Sequence, residues 1–173
     1  MPHEDRHLVS SPIGRLLLTA ARGRLTALAI LADTAGAPDL PVATSNPVLL
    51  QAAAQLEAYF AGGRQSFELP LELTGLSPFS RVVLTTLQAV PFGTTLSYGE
   101  LAARCGRPRA ARAIGRVMAA NPQPLIIPCH RVVAAQGGLG GYSGGCGLDT
   151  KAWLLAFEQA HRLESSGFSG KTA

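Results

Sequence analysis

The chain has 173 residues, 47% of them hydrophobic and 15% charged, with a formal net charge of +4. That is enough chain to bury a core, and it is not the composition of a disordered protein. No apolar run reaches the roughly 18 residues of a membrane span. The short apolar stretch at residues 16–18 follows Glu4 and Asp5 and is broken by Arg22 and Arg24, which argues against an export signal and makes the cytoplasm the expected location. Three cysteines, an odd number, provide no disulfide framework and leave room for a reactive thiol.

Residues 8–31 predict a β-hairpin, with strands at 13–20 and 25–31 joined by a turn at Ala21-Arg22-Gly23. Residues 33–46, rich in Pro, Ala, Thr and Asp, read as a loop. Asn46 as cap, Pro47 in first position and Gly62 as stop bracket a helix. Leu49, Ala53, Leu56 and Phe60 recur on it at core-facing spacing. Residues 67–73 alternate like a strand, and Pro70 places that strand at an edge.

Strand patterns give way to helical ones at 74–77, so a domain boundary is expected there, with one unit at 1–76 and a second at 77–165. Ser77-Pro78 open a helix with Phe79, Val82, Val83 and Leu87 on its inner face, ending before Pro91. Ser97-Tyr98-Gly99-Glu100 is a capping box that starts a helix running to about Arg104. After a turn at 105–108, a second helix is expected from Arg109 to about Ala120, which makes a helix-turn-helix pattern. Three prolines in 122–128 predict a stiff, extended lead into Cys129. A glycine-rich stretch at 137–147 holds Tyr142 and Ser143. Asp149 is placed to cap a last helix with Trp153, Leu154 and Phe157 as its apolar stripe and Glu158 next to it; the tail from Ser165, including 166–173, reads as disordered.

Charge is unevenly spread. Residues 1–76 carry five arginines against seven acidic residues, a net of −2, while residues 77–173 carry ten Lys/Arg against four acidic residues, a net of +6. The excess is sharpest at Arg104, Arg107, Arg109, Arg112 and Arg116. Such a patch is either an electrostatic footprint for nucleic acid or a solvated helix face, and charge alone does not choose. Ala110, Ala111, Ala113 and Gly115 would let this helix backbone approach DNA closely, and with the arginines they favour DNA.

Cys129 lies between Pro128 and His130. A nearby His and a carboxylate can shift a thiol toward the nucleophilic thiolate. A Cys-His dipeptide is weak evidence by itself, because neighbours on extended backbone point to opposite sides. The surrounding segment adds more. Residues 121–133 (Asn-Pro-Gln-Pro-Leu-Ile-Ile-Pro-Cys-His-Arg-Val-Val) resemble the active-site signature of O6-alkylguanine-DNA alkyltransferases, the methylated-DNA–protein-cysteine methyltransferases. Residues 95–102 resemble that family's first helix of the helix-turn-helix, and Ala111-Arg112-Ala113-Ile114-Gly115 its recognition helix. Tyr142-Ser143-Gly144-Gly145 and Leu154-Leu155-Ala156-Phe157-Glu158 resemble its active-site loop and last helix. The resemblance is strong over 77–160 and rests on pattern alone over 8–73.

The resemblance implies an α+β protein: a small N-terminal RNase H-like domain of sheet plus helix, and a C-terminal helical domain of winged helix-turn-helix type. It implies that Cys129 accepts the alkyl group from O6-alkylguanine in duplex DNA, once and irreversibly, after base flipping, with no cofactor. Glu158 would orient His130, which draws the Cys129 proton through a water, and Asn121 would tie the reactive segment. Tyr98 would donate toward N3 of the departing guanine and Ser143 would bond its O6. The main-chain carbonyls of Cys129 and Val132 would accept from the exocyclic amine. Arg112 would enter the stack in place of the base, while Ala110, Ala111 and Gly115 lie in the minor groove beside Arg109 and Arg116. The expected partner is double-stranded DNA, with the protein a monomer needing no obligate protein partner; O4-alkylthymine is not excluded as a second substrate. Some relatives bind a structural zinc, but residues 1–104 contain no cysteine and only His3 and His7, so no metal is expected. The segment between Gly145 and Trp153 is about two residues longer than the family pattern, with Cys146-Gly147 the inserted pair. Two alternatives carry less: a lesion-binding relative would lack the cysteine, and a cysteine hydrolase would leave the arginine-rich helix-turn-helix idle.

Overall fold

The computed structural model describes residues 4–32 and 44–162. Most of the expected loop at 33–46, and all of the expected tail from Ser165, fall outside them. The order of elements is β1 (Asp5–Ser11), β2 (Gly14–Ala21), β3 (Arg24–Leu31), α1 (Pro47–Phe60), α2 (Pro78–Gln88), β4 (Leu96–Ser97), α3 (Tyr98–Arg104), α4 (Ala111–Ala119), β5 (Val132–Val133) and α5 (Leu148–Ala160).

The predicted hairpin is extended by a further strand, β1, making an antiparallel β1-β2-β3 sheet. Its second turn places Arg22 and Gly23 at φ 52° and 72°, the left-handed pair that matches the twist of flanking strands. Alternation along β2 buries Leu16, Leu18 and Ala20 on one face, against Leu49, Leu56 and Tyr59 of α1. Asn46 caps α1 as expected, its Oδ1 accepting from the backbone N–H groups of Val48 (3.0 Å) and Leu49 (3.4 Å). The core face of α1 differs in part: Leu49 and Leu56 are buried, but Ala52 and Tyr59 join them while Ala53 and Phe60 are half-buried.

Residues 67–73 do not form the predicted strand. They make one bridge to β3, in which Leu25 donates to Pro70 O (2.8 Å) and accepts from Glu72 N (2.9 Å). Pro70 has no N–H with which to continue a ladder.

A second core gathers Val83, Leu84 and Leu87 of α2, Leu101 of α3 and Ile114, Val117 and Met118 of α4. Leu84, not the predicted Val82, faces it; Val82 is 49% exposed. Ser97 and Glu100 form the predicted capping box, with both reciprocal bonds present. Helix α4 starts at Ala111, so Arg109 lies ahead of it and Ala110 occupies the cap position without a side-chain bond. Gly147, at φ 65°, caps α5 in place of the predicted Asp149, which sits in the first turn.

The two cores meet along residues 121–133. This lead is not extended throughout: Leu125 takes φ 72° and Ile127 N donates to Gln123 O (2.9 Å), closing a tight reversal. Before the reversal the chain lies on β3, through Leu28 N to Pro122 O (2.8 Å) and the buried Gln123 amide to Leu25 O (2.8 Å). After it, β5 pairs in parallel with β4, Leu96 opposite Val132. The fold is therefore α+β: an antiparallel sheet with its helix, followed by a helical part carrying the helix-turn-helix. No helix among the described residues is long and apolar enough to cross a membrane.

Candidate active site

Cys129, His130 and Arg131 form a single 3-10 turn, not extended backbone. Successive side chains therefore project about 120° apart. Cys129 points into a cavity of about 400 Å³, shared with Tyr98, Gly115, Asn121, Tyr142 and Ser143. His130 and Arg131 turn the other way, to Glu158 of α5.

Glu158 is 1% exposed and accepts five hydrogen bonds. Its Oε1 receives His130 Nε2 (2.7 Å), Arg131 Nη2 (2.8 Å) and the Tyr59 hydroxyl (2.8 Å). Its Oε2 receives Arg131 Nε (2.9 Å) and the Gly93 N–H (3.0 Å). Burial alone would raise this carboxyl, but the hydrogen bonds from His130 and Arg131 outweigh it and hold the group well below the usual carboxylate range. Burial pushes the His130 ring below its ordinary value despite Glu158, so the ring is neutral. A carboxylate can only accept, so Nε2 carries the hydrogen and Nδ1 holds a lone pair. That Nδ1 is buried and has no protein partner among the described residues.

The Cys129 thiol itself is buried. Burial pushes Cys129 up, against smaller opposing effects from the Asn121 side chain and the Lys151 charge. Asn121 clamps the reversal ahead of it, donating to Ile127 O (2.9 Å) and accepting from Gln123 N (3.1 Å).

Tyr98 opens α3, and its hydroxyl accepts from Gly141 N (3.3 Å), which leaves its own hydrogen to donate. Ser143 is exposed at the cavity mouth, and the buried Tyr142 hydroxyl has no hydrogen-bond partner among the described residues. The Val132 carbonyl, expected to receive the base, already accepts from Lys151 Nζ at 2.6 Å, so a base amine would share this oxygen with the ammonium. The same amine reaches Gly141 O (3.1 Å) and thus holds the glycine-rich loop to β5. On α4, Gly115 lines the cavity while Arg112 and Arg116, four residues apart and on one face, are exposed, as is Arg109 ahead of the helix. Leu28, Ala29 and Ile30 of β3 supply another wall, and Gly145 N donates to Ile30 O (3.2 Å). Among the described residues, no group of three or more His, Cys, Asp or Glu is placed to hold a metal ion.

Sequence reasoning missed Tyr59, Gly93, Arg131 and Lys151. Two signals were available. A tyrosine on an apolar helix face needs a partner for its hydroxyl, and Lys151 lies three residues before Leu154 and seven before Glu158, on the same buried face of α5.

Two family models together span most of the chain. The ribonuclease-like domain of 6-O-methylguanine DNA methyltransferase matches residues 6–73, and the DNA-binding domain of the same family matches residues 78–160. A methylated-DNA–protein-cysteine methyltransferase of Mycolicibacterium paratuberculosis is 46% identical over 154 residues, covering 88% of this chain and 91% of its own length. The Homo sapiens protein of the same name is 39% identical, covering 96% and 86% respectively. A crystal structure of the Mycobacterium tuberculosis protein in complex with DNA superposes with a TM-score of 0.77 at 37% identity, covering 90% of this chain and 93% of that one. With both domain models matched in order and relatives of this identity aligned over nearly their full length, the chain belongs to the 6-O-methylguanine DNA methyltransferase family.

Proposed function

We propose that this protein repairs DNA by direct reversal, moving the alkyl group of O6-alkylguanine in duplex DNA onto Cys129. The observation that carries this reading is the placement of the Cys129 thiol in a cavity shared with Tyr98 at the start of α3 and Gly115 of α4, backed by a His130–Glu158 pair. Residues 1–76 and 77–165 are read as the two domains, the second holding the site.

O6 of guanine lies inside the base stack, so the nucleotide must be rotated out, at a cost of a few kcal/mol. Helix α4 lies in the minor groove, its small residues allowing close approach, with Arg112 filling the gap and Arg109 and Arg116 on phosphates. In the cavity, the Cys129 proton passes through a water to His130 Nδ1, and Glu158 stabilises the imidazolium that forms. The sulfur–carbon bond forms as the carbon–O6 bond breaks. Tyr98 donates toward N3 and Ser143 toward O6 of the departing guanine, and the thiol proton ends on the base. The thioether is stable, so each molecule reacts once, without a cofactor. The same displacement chemistry applies to an alkyl group on O4 of thymine.

Intact-mass spectrometry after mixing with duplex DNA carrying one O6-methylguanine tests this. A stoichiometric gain of one CH₂ on the Cys129 peptide is expected. Tight lesion binding without mass gain would replace transfer with recognition alone.

A further inference from the structure

Tyr59 belongs to α1, on the sheet side of the molecule, 99 residues from Glu158 in sequence. It is fully buried, and its ring is enclosed by Phe60, Phe67, Phe92 and Phe157, with centroids 5.1, 5.4, 5.7 and 5.5 Å away. A tyrosine in such a cage needs one outlet for its hydroxyl. Here the outlet is Glu158 Oε1, the oxygen that also receives His130 Nε2. Burial, with the Glu158 charge next, pushes the phenol far above its ordinary value, so it is a permanent donor.

We infer that Tyr59 is a positioning residue for the alkyl transfer: by sharing Glu158 Oε1 with His130 it sets, from the N-terminal part of the chain, how strongly that carboxylate supports the imidazole. This rests on the proposed transfer to Cys129. The physical step is competition for one oxygen. Each donor on Oε1 draws charge from it, and an imidazole facing a less basic carboxylate is itself a weaker base. Among the described residues, the other charged or titratable groups facing this cluster are Arg131 and Lys151 toward His130, and Arg131 and Tyr142 toward Tyr59, besides Cys129 itself.

The test is the single-turnover rate of transfer from O6-methylguanine duplex as a function of pH, whose acid-side inflection reports protonation of His130. Removing the phenol hydrogen bond with Tyr59→Phe keeps the ring in its cage, makes the imidazole more basic, and moves that inflection up by roughly half a unit, in line with hydrogen-bond contributions to pKa. Replacing Tyr59 with a fluorotyrosine, a more acidic and stronger donor, moves it down. Opposite shifts are not produced by damage to packing, and the fluorinated chain gives the answer even if the phenylalanine variant folds poorly. Inflections that coincide with the unmodified protein's overturn the inference while leaving the transfer reading intact. No transfer by the unmodified chain at any pH overturns that reading and this inference with it.

Discussion

The ammonium of Lys151 donates to the main-chain carbonyl of Val132 at 2.6 Å and, from the same buried position, to Gly141 O at 3.1 Å. One side chain thus joins β5, immediately after the reactive turn, to the loop that carries Tyr142 and Ser143. Burial lowers the amine below its ordinary value, and the nearby Cys129 opposes this.

Lys151→Met should therefore loosen the loop more than the core. Two carbonyls lose a donor, costing about 1–3 kcal/mol in stability. The rate of transfer should fall on the order of 10²-fold, the scale of a misplaced reacting group. Thermal melts and single-turnover rates measure the two effects; an unchanged rate would remove Lys151 from the site's support.

Stability should decline in acid earlier than in a protein with ordinary carboxylates alone. His130 has its folded value depressed, so below its ordinary value of 6.5 the unfolded chain binds a proton that the folded chain refuses. Glu158 is also depressed, so its contribution, full above its ordinary value of 4.5, is lost as pH falls through the folded value. Both signs agree: the loss is up to about 1.4 kcal/mol per pH unit from the first group, then about twice that per unit once the second joins. Denaturant melts between pH 7.5 and 4 measure the slope. Glu158→Gln should flatten the lower part of the curve while costing about 3–5 kcal/mol at neutral pH, because it leaves Arg131 buried without its charge partner.

Binding and chemistry should separate cleanly by substitution. Cys129→Ala is expected to abolish mass gain while lesion-DNA affinity stays within about twofold, since the thiol touches no phosphate. Arg112→Ala, at an exposed position, should leave the melting temperature nearly unchanged. It should slow transfer from duplex more than from a single strand, where there is no stack to hold open. Equal slowing on both would argue against Arg112 entering the stack.

Gly140 gives a steric test of Tyr98. At φ 72° it has no side chain, and a Cβ there would lie 2.8 Å from the Tyr98 hydroxyl. Gly140→Ala should displace that hydroxyl, cutting transfer at least 10-fold while binding to undamaged DNA is unaffected. The backbone strain adds about 1 kcal/mol of destabilisation. Transfer at the normal rate would mean that the Tyr98 hydroxyl is not placed for the reaction.

Local rules were readable from the chain wherever the interaction is local. Asn46 and the Ser97–Glu100 box cap their helices as their spacing required. The same reasoning failed at Asp149, where a left-handed Gly147 provides the cap instead, and at residues 67–73, where Pro70 interrupts the N–H ladder and alternation yields a single bridge. The motif around Cys129 pointed to His130 and Glu158, and the structure joins them. It did not reveal that Glu158 is also held by Tyr59 and Gly93, because those partners lie 99 and 65 residues away and come together only through packing. Nor did it predict the raised thiol, since burial of Cys129 is a property of the whole fold.

That raised thiol has a consequence for a protein proposed to act once. A standing thiolate would be spent on whatever oxidant or electrophile reached it first, because oxidation and alkylation both follow thiolate character and access. A sulfur that lines a cavity and whose burial disfavours the thiolate is shielded from such reagents between encounters. Its working lifetime is then set by how rarely the wrong reagent fits the pocket, not by how fast the right one reacts.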